Sequence, residues 1–554
     1  MTFQALHMKM TNIGIIVNNN HVKAWQHLVI LKLFRLEGLQ FVIINTSDSS
    51  IDNDTTKQSV VYMLHEKLDK KIFRKKFNFN KKIDIKSFTK EIPVFDLNSF
   101  GIDLFNSEND SIAEYLHKYD LDFILNFGLQ NCGGKFTQAA RKGIISYILD
   151  GENVANPYPP CYWEMVKSVP KIGASLILTD FDGKNSVLLK VSLSTYPNSI
   201  HINRDQIYKL AVLIIPRLIK KFNTSGELPV NNTLDSSSLE VETQHAENYD
   251  FNLPGSFVAI KNIGKLFFRF LSRNLFYKEL GLWSVLYTQN RSSDLLDLQL
   301  NTFCYLKYKK GTFIADPFII NKEGISYIFI EEYDYKKAKG HISVTSIDSQ
   351  GNQSSIQKII ENPFHMSYPF VFEVDGTHYI IPETSSDHTI QLYRCIDFPG
   401  KWEFQQNLMD NINAKDSTLF YFDKKWWLFT SVNDAGIKEL VYNELFLYYS
   451  DDVFSGKWQS HPLNPIVTDP KLSRSAGKIF QQDGNIYRPS QDCLGNYGNA
   501  INFCKITVLN EHNYEEVTVS KIKPDWDSKL KGLHTYNFDD QFAVIDVFQS
   551  RSKI

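Results

Sequence analysis

The chain has 554 residues, with 60 Lys and Arg against 62 Asp and Glu, for a formal net charge of -2. Hydrophobic residues are 43% and charged residues 22%, which excludes a mostly disordered chain, and the near-neutral balance excludes a global field able to hold a nucleic-acid backbone. The 40 Phe, 27 Tyr and 8 Trp favour sheet surfaces with a large core.

Residues 10–222 alternate strand and helix signals. The apolar run 13–17 stops at Asn18-Asn19-Asn20, helical spacing follows through Leu28, Leu31, Leu33 and Leu36, and a second apolar run fills 41–44. The stretch 67–90 is basic, with Lys70, Lys71, Arg74, Lys75, Lys76, Lys81, Lys82 and Lys86 interrupted by Asp69 and Asp84. It reads as a solvated helix face or loop, with a phosphate or membrane-surface patch as the alternative. Further runs at 122–125 and 143–149 precede 174–179 and 187–191, which flank the hairpin signal Asp180-Phe181-Asp182-Gly183. Residues 207–221 read as a closing helix. Strand–helix alternation implies a mostly parallel sheet covered on both faces.

Residues 223–253 are polar and rich in Asn, Thr and Ser, as an interdomain linker is. A connecting helix is expected over 254–281. Ile260, Ile263, Leu266, Phe267, Phe270 and Leu271 are apolar, while Lys261, Lys265, Arg269 and Arg273 are basic, which suits a docking helix or a membrane-surface helix. Residues 282–554 carry an internal repeat: a strand, a tight turn and a second aromatic-rich strand. The segments open at Pro317, Pro369, Thr418, Gly477 and Thr535, and the second strands end at Glu331, Glu383, Thr430, Gln491 and Asp546. A period of roughly 50 residues with several strands per unit implies propeller blades, here five, with residues 283–288 helping to close the ring; a β-sandwich is the alternative.

The 6 Cys form no CxxC pair and the 14 His show no HxH or HExxH spacing, so no metal, disulfide framework or cofactor is expected. Few cysteines suit a reducing cytoplasm. Residues 1–10 are polar and mixed rather than signal-like, and no apolar run reaches the ~18 residues of a spanning helix.

Several motifs occur in order through the second half: Ala315-Asp316-Pro317-Phe318, Asn362-Pro363-Phe364-His365-Met366-Ser367-Tyr368-Pro369-Phe370, Ile381-Pro382-Glu383-Thr384, Trp426-Trp427-Leu428-Phe429-Thr430 and Gln491-Asp492 with Tyr497-Gly498. On these residues it resembles the five-bladed propellers of glycoside hydrolase family 43. It is more similar to the N-terminal domain of the glucosamine inositolphosphorylceramide transferases and their bacterial relatives. The family-43 resemblance implies a general base at Asp316, opening blade one, and an orienting carboxylate at Asp416, opening blade three. The acidic Glu that should open blade four is replaced by Arg474-Ser475-Ala476-Gly477. Glu383 is therefore taken as the substitute acid, with Glu331 at the equivalent place in blade one. His365, Tyr368, Arg474, Arg488, Asp492 and His534 recur near blade openings and are read as a polar, substrate-binding funnel, since Arg suits a phosphate or carboxylate and Tyr or His a sugar face.

The first half resembles the Rossmann-like fold of methionyl-tRNA and sugar N-formyltransferases, at Asp122-Phe123-Ile124-Leu125-Asn126-Phe127-Gly128, Gly143-Ile144-Ile145-Ser146-Tyr147-Ile148 and Pro160-Cys161-Tyr162-Trp163-Glu164. That chemistry uses an Asn, a His and an Asp. Here Ser146 stands for the Asn, Ile148 for the His, and Lys184 falls near the Asp, with Asp180 or Asp182 as shifted candidates. Isoleucine cannot relay a proton. The expectation is an α/β formyltransferase-like domain followed by an all-β five-bladed propeller. Together they make a protein of surface-polysaccharide or glycoconjugate biosynthesis, acting on a glycan or activated sugar. The alternatives are a non-catalytic glycan-binding or scaffold protein, or a sugar N-formyltransferase. No nucleic-acid partner is expected, and the basic stretch and helix allow peripheral membrane contact.

Overall fold

The computed structural model describes residues 10–46, 59–73, 78–86, 91–97, 111–127, 134–149, 161–228, 254–271, 280–289, 296, 298–433, 444–495 and 497–551. Most of the expected linker, Arg74, Lys75 and Lys76 of the basic stretch, and Arg273 lie outside the described residues. The chain divides into two compact units, Met1–Leu271 and Ser272–Ile554.

The first unit is α/β. Strands Val94–Asp96, Leu39–Thr46, Thr11–Asn18, Phe123–Asn126 and Ile144–Leu149 lie side by side in that order, all parallel. Lys171–Thr179 and Asn185–Ser194 extend the sheet antiparallel through the expected hairpin. The short strands His21–Lys23 and Lys82–Asp84 complete it. Ile13, Ile15, Ile43, Ile44, Phe123 and Ile124 are fully buried, as parallel strands covered on both faces require. The strand order reverses at Thr11–Asn18, where later strands step out on both sides of the first. The closing helix Ile200–Ser225 starts at Ser199, whose hydroxyl accepts from the Ile202 N–H at 3.1 Å, and ends at Gly226 with φ +74°.

The helix expected over 254–281 runs Ser256–Leu271 and belongs to the first unit. Asn262 Nδ2 donates to Tyr162 Oη, Lys265 Nζ to the Val166 carbonyl and Arg269 Nη1 to the Met165 carbonyl, each at 3.0 Å. Residues 280 and 281 are already strand, since the chain enters Leu280–Thr288 there. Among the described residues no helix is long and apolar enough to cross a membrane.

The second unit is a five-bladed β-propeller. Blade one contains Thr312–Lys322, Ile325–Asp334, Lys339–Ile347 and Gln357–Ile360; blade two contains Ser367–Val374, Thr377–Glu383, Thr389–Asp397 and Lys401–Asp410. Blade three contains Ala414–Phe422, Lys425–Val432, Leu445–Ser450 and Gln459–Ser460. Blade four splits its inner strand into Arg474–Ser475 and Phe480–Gln482, followed by Asn485–Asp492, Ala500–Leu509 and Tyr514–Ile522. Blade five joins distant segments. Its inner pieces Leu530–Gly532 and Tyr536–Phe538 pair with Ala543–Arg551, which pairs with Leu280–Thr288, which pairs with Cys304–Tyr305. The register runs unbroken from Leu280↔Arg551 to Thr288↔Ala543, so the ring is closed by strands from both sides of the unit, as expected for residues 283–288.

The inner strands are stitched to one another. Tyr368 Oη lies 2.9 Å from Thr418 Oγ1 and accepts from the Gly477 N–H at 2.9 Å. Asn537 accepts from the Lys478 N–H at 2.8 Å and donates to the Pro317 carbonyl at 2.7 Å. Blades one, two, three, four and five are thus tied by side chains that cross between them.

Candidate functional site

Each of the first three inner strands carries a bulge at its opening: between Ala315 and Phe318, Ser367 and Phe370, and Lys415 and Thr418. The bulged residues Asp316, Tyr368 and Asp416 adopt φ of 50°, 46° and 50°. A left-handed non-glycine residue is strained, and a bulge re-aims its side chain. Opposite these bulges, the second strands bring Glu331, Glu383 and, in blade five, Asp546 to the same centre. Five buried carboxyl groups therefore interact there.

Asp316 Oδ2 accepts from the Tyr368 N–H at 3.1 Å and Oδ1 from Thr535 Oγ1 at 3.1 Å. Its own N–H donates to Asp546 Oδ2 at 2.9 Å. His534 stands between the two acids, with Nδ1 2.6 Å from Asp546 Oδ2 and Nε2 3.5 Å from Asp316 Oδ1. Trp283 stacks on its ring at 3.9 Å. Burial raises the Asp316 carboxyl above its ordinary value, and Asp546 and Glu383 add to that against His534.

Asp416 Oδ2 accepts from Arg474 Nε at 2.6 Å and Nη2 at 2.5 Å, and from Gln491 Nε2 at 3.1 Å. Burial pushes this carboxyl up to about 7; Arg474 opposes the rise, while Glu383 and Asp316 add to it. Glu383 Oε1 accepts from Lys415 Nζ at 2.7 Å and Ser385 Oγ at 2.8 Å. Burial works against its charge, but Lys415 and Arg474 prevail and hold it below its ordinary value. Glu331 is the reverse case. Burial, with Asp316, Glu383 and Asp546 nearby, holds it well above its ordinary value. His365 Nε2 lies 3.6 Å from Glu331 Oε1, while its Nδ1 accepts from the Gly340 N–H at 2.9 Å. Burial lowers the His365 value. A neutral imidazole accepting at Nδ1 keeps its proton on Nε2, toward Glu331. Tyr497, half exposed, covers the Arg474 guanidinium at 4.9 Å and meets the His534 ring edge-on.

The centre thus gathers Asp316, Asp416, Glu383, Glu331, Arg474, His534 and His365. Three of the residues expected to bind substrate serve elsewhere. Arg488 is fully buried in an ion pair with Glu516, Nη2 at 2.6 Å and Nε at 2.9 Å, and bonds the Leu472 carbonyl. Asp492 pairs with Lys521 and accepts from the Leu494 N–H. Side chains alternate along a strand, so Gln491 faces Asp416 while Arg488 and Asp492 take the other face of the blade. Tyr368 gives its backbone N–H to Asp316 and spends its hydroxyl on the inter-strand stitch, so it builds the floor rather than a sugar face. Asp546 and Gln491 escaped the sequence-based site set. Their signal was present, since both end the second aromatic-rich segment of their repeat, the place that Glu331 and Glu383 occupy in theirs.

Oxygen and nitrogen atoms of Asp316, His534 and Asp546 all lie within 4.8 Å of one another, close enough for a metal. The donor set fits one poorly: Asp546 Oδ1 already accepts from the His534 and Thr535 N–H groups at 3.0 and 2.9 Å, and both Asp316 oxygens are engaged. His534 is held above its ordinary value because Asp546 and Asp316 outweigh its burial, which favours a proton over a metal at this place.

In the first unit, Ser146 Oγ accepts from Asn126 Nδ2 at 3.2 Å, with Ile148 farther along the same strand. Asp180 Oδ1 caps the hairpin by accepting from the Asp182 and Lys184 N–H groups at 3.1 and 2.8 Å.

Residues 305–552 match the family described as "Glucosamine inositolphosphorylceramide transferase 1, N-terminal". Two curated glucosamine inositolphosphorylceramide transferases 1 align with this chain. The Oryza sativa subsp. japonica protein is 34% identical over 214 residues, covering 38% of this chain and 28% of its own. The Arabidopsis thaliana protein is 30% identical over 239 residues, covering 41% and 30%. The chain thus spans less than a third of the transferases it matches. Among solved structures, the family 117 glycoside hydrolase Zg3597 of Zobellia galactanivorans gives a TM-score of 0.33 at 11% identity, covering 48% of this chain and 91% of its own. An exo-1,5-alpha-L-arabinanase from a bovine ruminal metagenomic library gives 0.31 at 15% identity, covering 44% and 95%.

Proposed function

We propose that the propeller takes a glycan or activated sugar into its acidic centre, as a cytoplasmic step in assembling a glycoconjugate or surface polysaccharide. The observation that carries this is the meeting of Asp316, Asp416, Glu383 and Glu331, four buried carboxyl groups that different neighbours shift in different directions. Dividing such groups between roles is what glycosyl chemistry requires. In this reading Asp316 takes the proton of the attacking hydroxyl, and Asp416, fixed by Arg474 and Gln491, sets the field around it. The acid role passes from Glu383 to Glu331. Lys415 keeps Glu383 ionised, suited to steadying positive charge at the anomeric carbon, whereas Glu331 keeps a proton to give to the departing oxygen. Solvent then takes the proton from Asp316 and returns one to Glu331, whose carboxylate faces the His365 Nε2–H meanwhile. Attack by water gives hydrolysis; attack by a sugar or lipid hydroxyl gives transfer.

One observation favours a second reading, a binding module: both Asp316 oxygens already accept hydrogen bonds. The first unit we read as a Rossmann-like scaffold of the formyltransferase type, with Ser146 in place of the Asn and Ile148 in place of the proton-relaying His.

The test compares the whole chain with Asp316→Asn. The names of its relatives direct the first assay, transfer of glucosamine from an activated donor to inositolphosphorylceramide, alongside hydrolysis of aryl glycosides and glycan binding. Loss of a positioned base is expected to cost roughly 100-fold or more in turnover while the melting temperature is kept. Equal turnover eliminates Asp316 as the base. Glycan binding without turnover in either protein establishes the binding module.

A further inference from the structure

Two helices of the first unit, Val60–Ile72 and Ser256–Leu271, pack side by side. Their starts meet where Ser59 Oγ lies 3.0 Å from Ser256 Oγ. Both rest on Tyr162, which receives the Tyr62 ring edge-on at 5.2 Å and the Asn262 amide at 3.0 Å. What they bury is limited and mixed: Tyr62 and Asp69 from one, Ala259, Asn262 and Leu266 from the other. What they turn outward is more apolar. Phe257, Ile260, Phe267 and Phe268 form one stripe opposite Ala259 and Leu266, and Phe257 is 81% and Phe268 72% exposed. On the neighbouring helix Leu64, Leu68 and Ile72 are exposed in the same manner. A surface helix of a globular protein normally shows the opposite polarity.

The charge on this face has one sign. Lys67, Lys71 and Lys261 are exposed among the apolar side chains. Ser256–Leu271 has no acidic residue. On Val60–Ile72, Glu66 is ion-paired with Arg204, and Asp69 is buried, accepting from Ser199 Oγ and the His201 N–H.

We propose that these two helices seat the first unit on an anionic phospholipid surface. Their Phe and Leu side chains enter the boundary between headgroups and acyl chains, and the lysines meet the headgroup phosphates. Bulky apolar residues flanked by lysines, on helices too short and too polar to span, match the chemistry of an interfacial helix. Among the described residues of the two helices, the lack of exposed acids on this face argues for an anionic surface over a second copy of this cationic patch.

The test uses the full chain in vesicle co-sedimentation, with phosphatidylcholine alone and mixed with phosphatidylglycerol. The chain is expected on the mixed vesicles, and roughly tenfold less on phosphatidylcholine or in high salt. The double variant Phe267→Asp/Phe268→Asp is expected to lose binding roughly tenfold with its melting temperature kept, because these side chains are exposed. The variant Leu68→Asp/Ile72→Asp, on the other helix, repeats the test should the first unfold. Wild-type chain that stays in the supernatant with both vesicles overturns the proposal, as do variants that bind like wild type. A wild-type dimer in light scattering that both variants split, without vesicle binding, overturns it in favour of self-association.

Discussion

Gly477 adopts φ +132°, and a Cβ there would stand 2.0 Å from the Tyr536 carbonyl oxygen. Gly477→Ala is expected to destabilise the chain by at least about 2 kcal/mol, measured by denaturant unfolding. Gly324→Ala, at φ +80° with nothing within 4 Å, isolates the backbone cost at about 1 kcal/mol. Arg474→Met should cost more, roughly 3–5 kcal/mol, because it leaves Asp416 buried without its cation. The residue scale is also where the sequence was most uneven as a guide. Asp316, Asp416 and Glu383 were legible as neighbours because repeat and motif place the two aspartates at inner-strand openings and Glu383 at the end of a second strand. Arg488 was misread because proximity to an opening does not say which face of the blade a side chain takes. The opposite shifts of Glu383 and Glu331 were not legible at all: the first depends on Lys415, which reaches Glu383 from the next blade.

Blade five depends on a strand that arrives from the other side of the unit. Val285 is fully buried in that strand, opposite Asp546. Val285→Asp would place an unpaired carboxylate beside a centre already crowded with acids, and is expected to strip amide-exchange protection from Ala543–Arg551 first. The five repeats were readable from aromatic strands and turns at regular spacing, and so was the closing role of 283–288. The bulges were not, since Asp-Pro, Tyr-Pro and Asp-Ser share no pattern that announces a left-handed residue. Polar bonding also moved one boundary. Composition placed the division between the units at 223–253, but Asn262 and Arg269 tie Ser256–Leu271 into the first unit, and helical periodicity carries no trace of those bonds.

Across the whole molecule, most of the acidic centre links stability to pH with the same sign; Glu383, held below its ordinary value, has the opposite one and acts only below about 4.5. Asp546 and Asp316 hold His534 above its ordinary 6.5 despite burial, so the stability it contributes is complete below 6.5 and lost as pH rises through the higher native value. Asp416, pushed up to about 7 from 3.8, keeps a proton that the unfolded chain has released, which also lowers stability as pH rises through that window. The melting temperature is expected to fall as pH rises from 3.8 to about 7 through Asp416 and onward from 6.5 through His534, and the fall above 6.5 is expected to be less steep in His534→Gln. The pairing of Leu280–Thr288 with Ala543–Arg551 has a consequence during synthesis. A nascent chain carries the first of these strands long before its partner leaves the ribosome, so the propeller stays an open stack with a bare edge until nearly all of the described chain has been made. Premature termination anywhere before Ala543 leaves that edge unpaired, and each such fragment would be a substrate for chaperones or proteases rather than a smaller working ring.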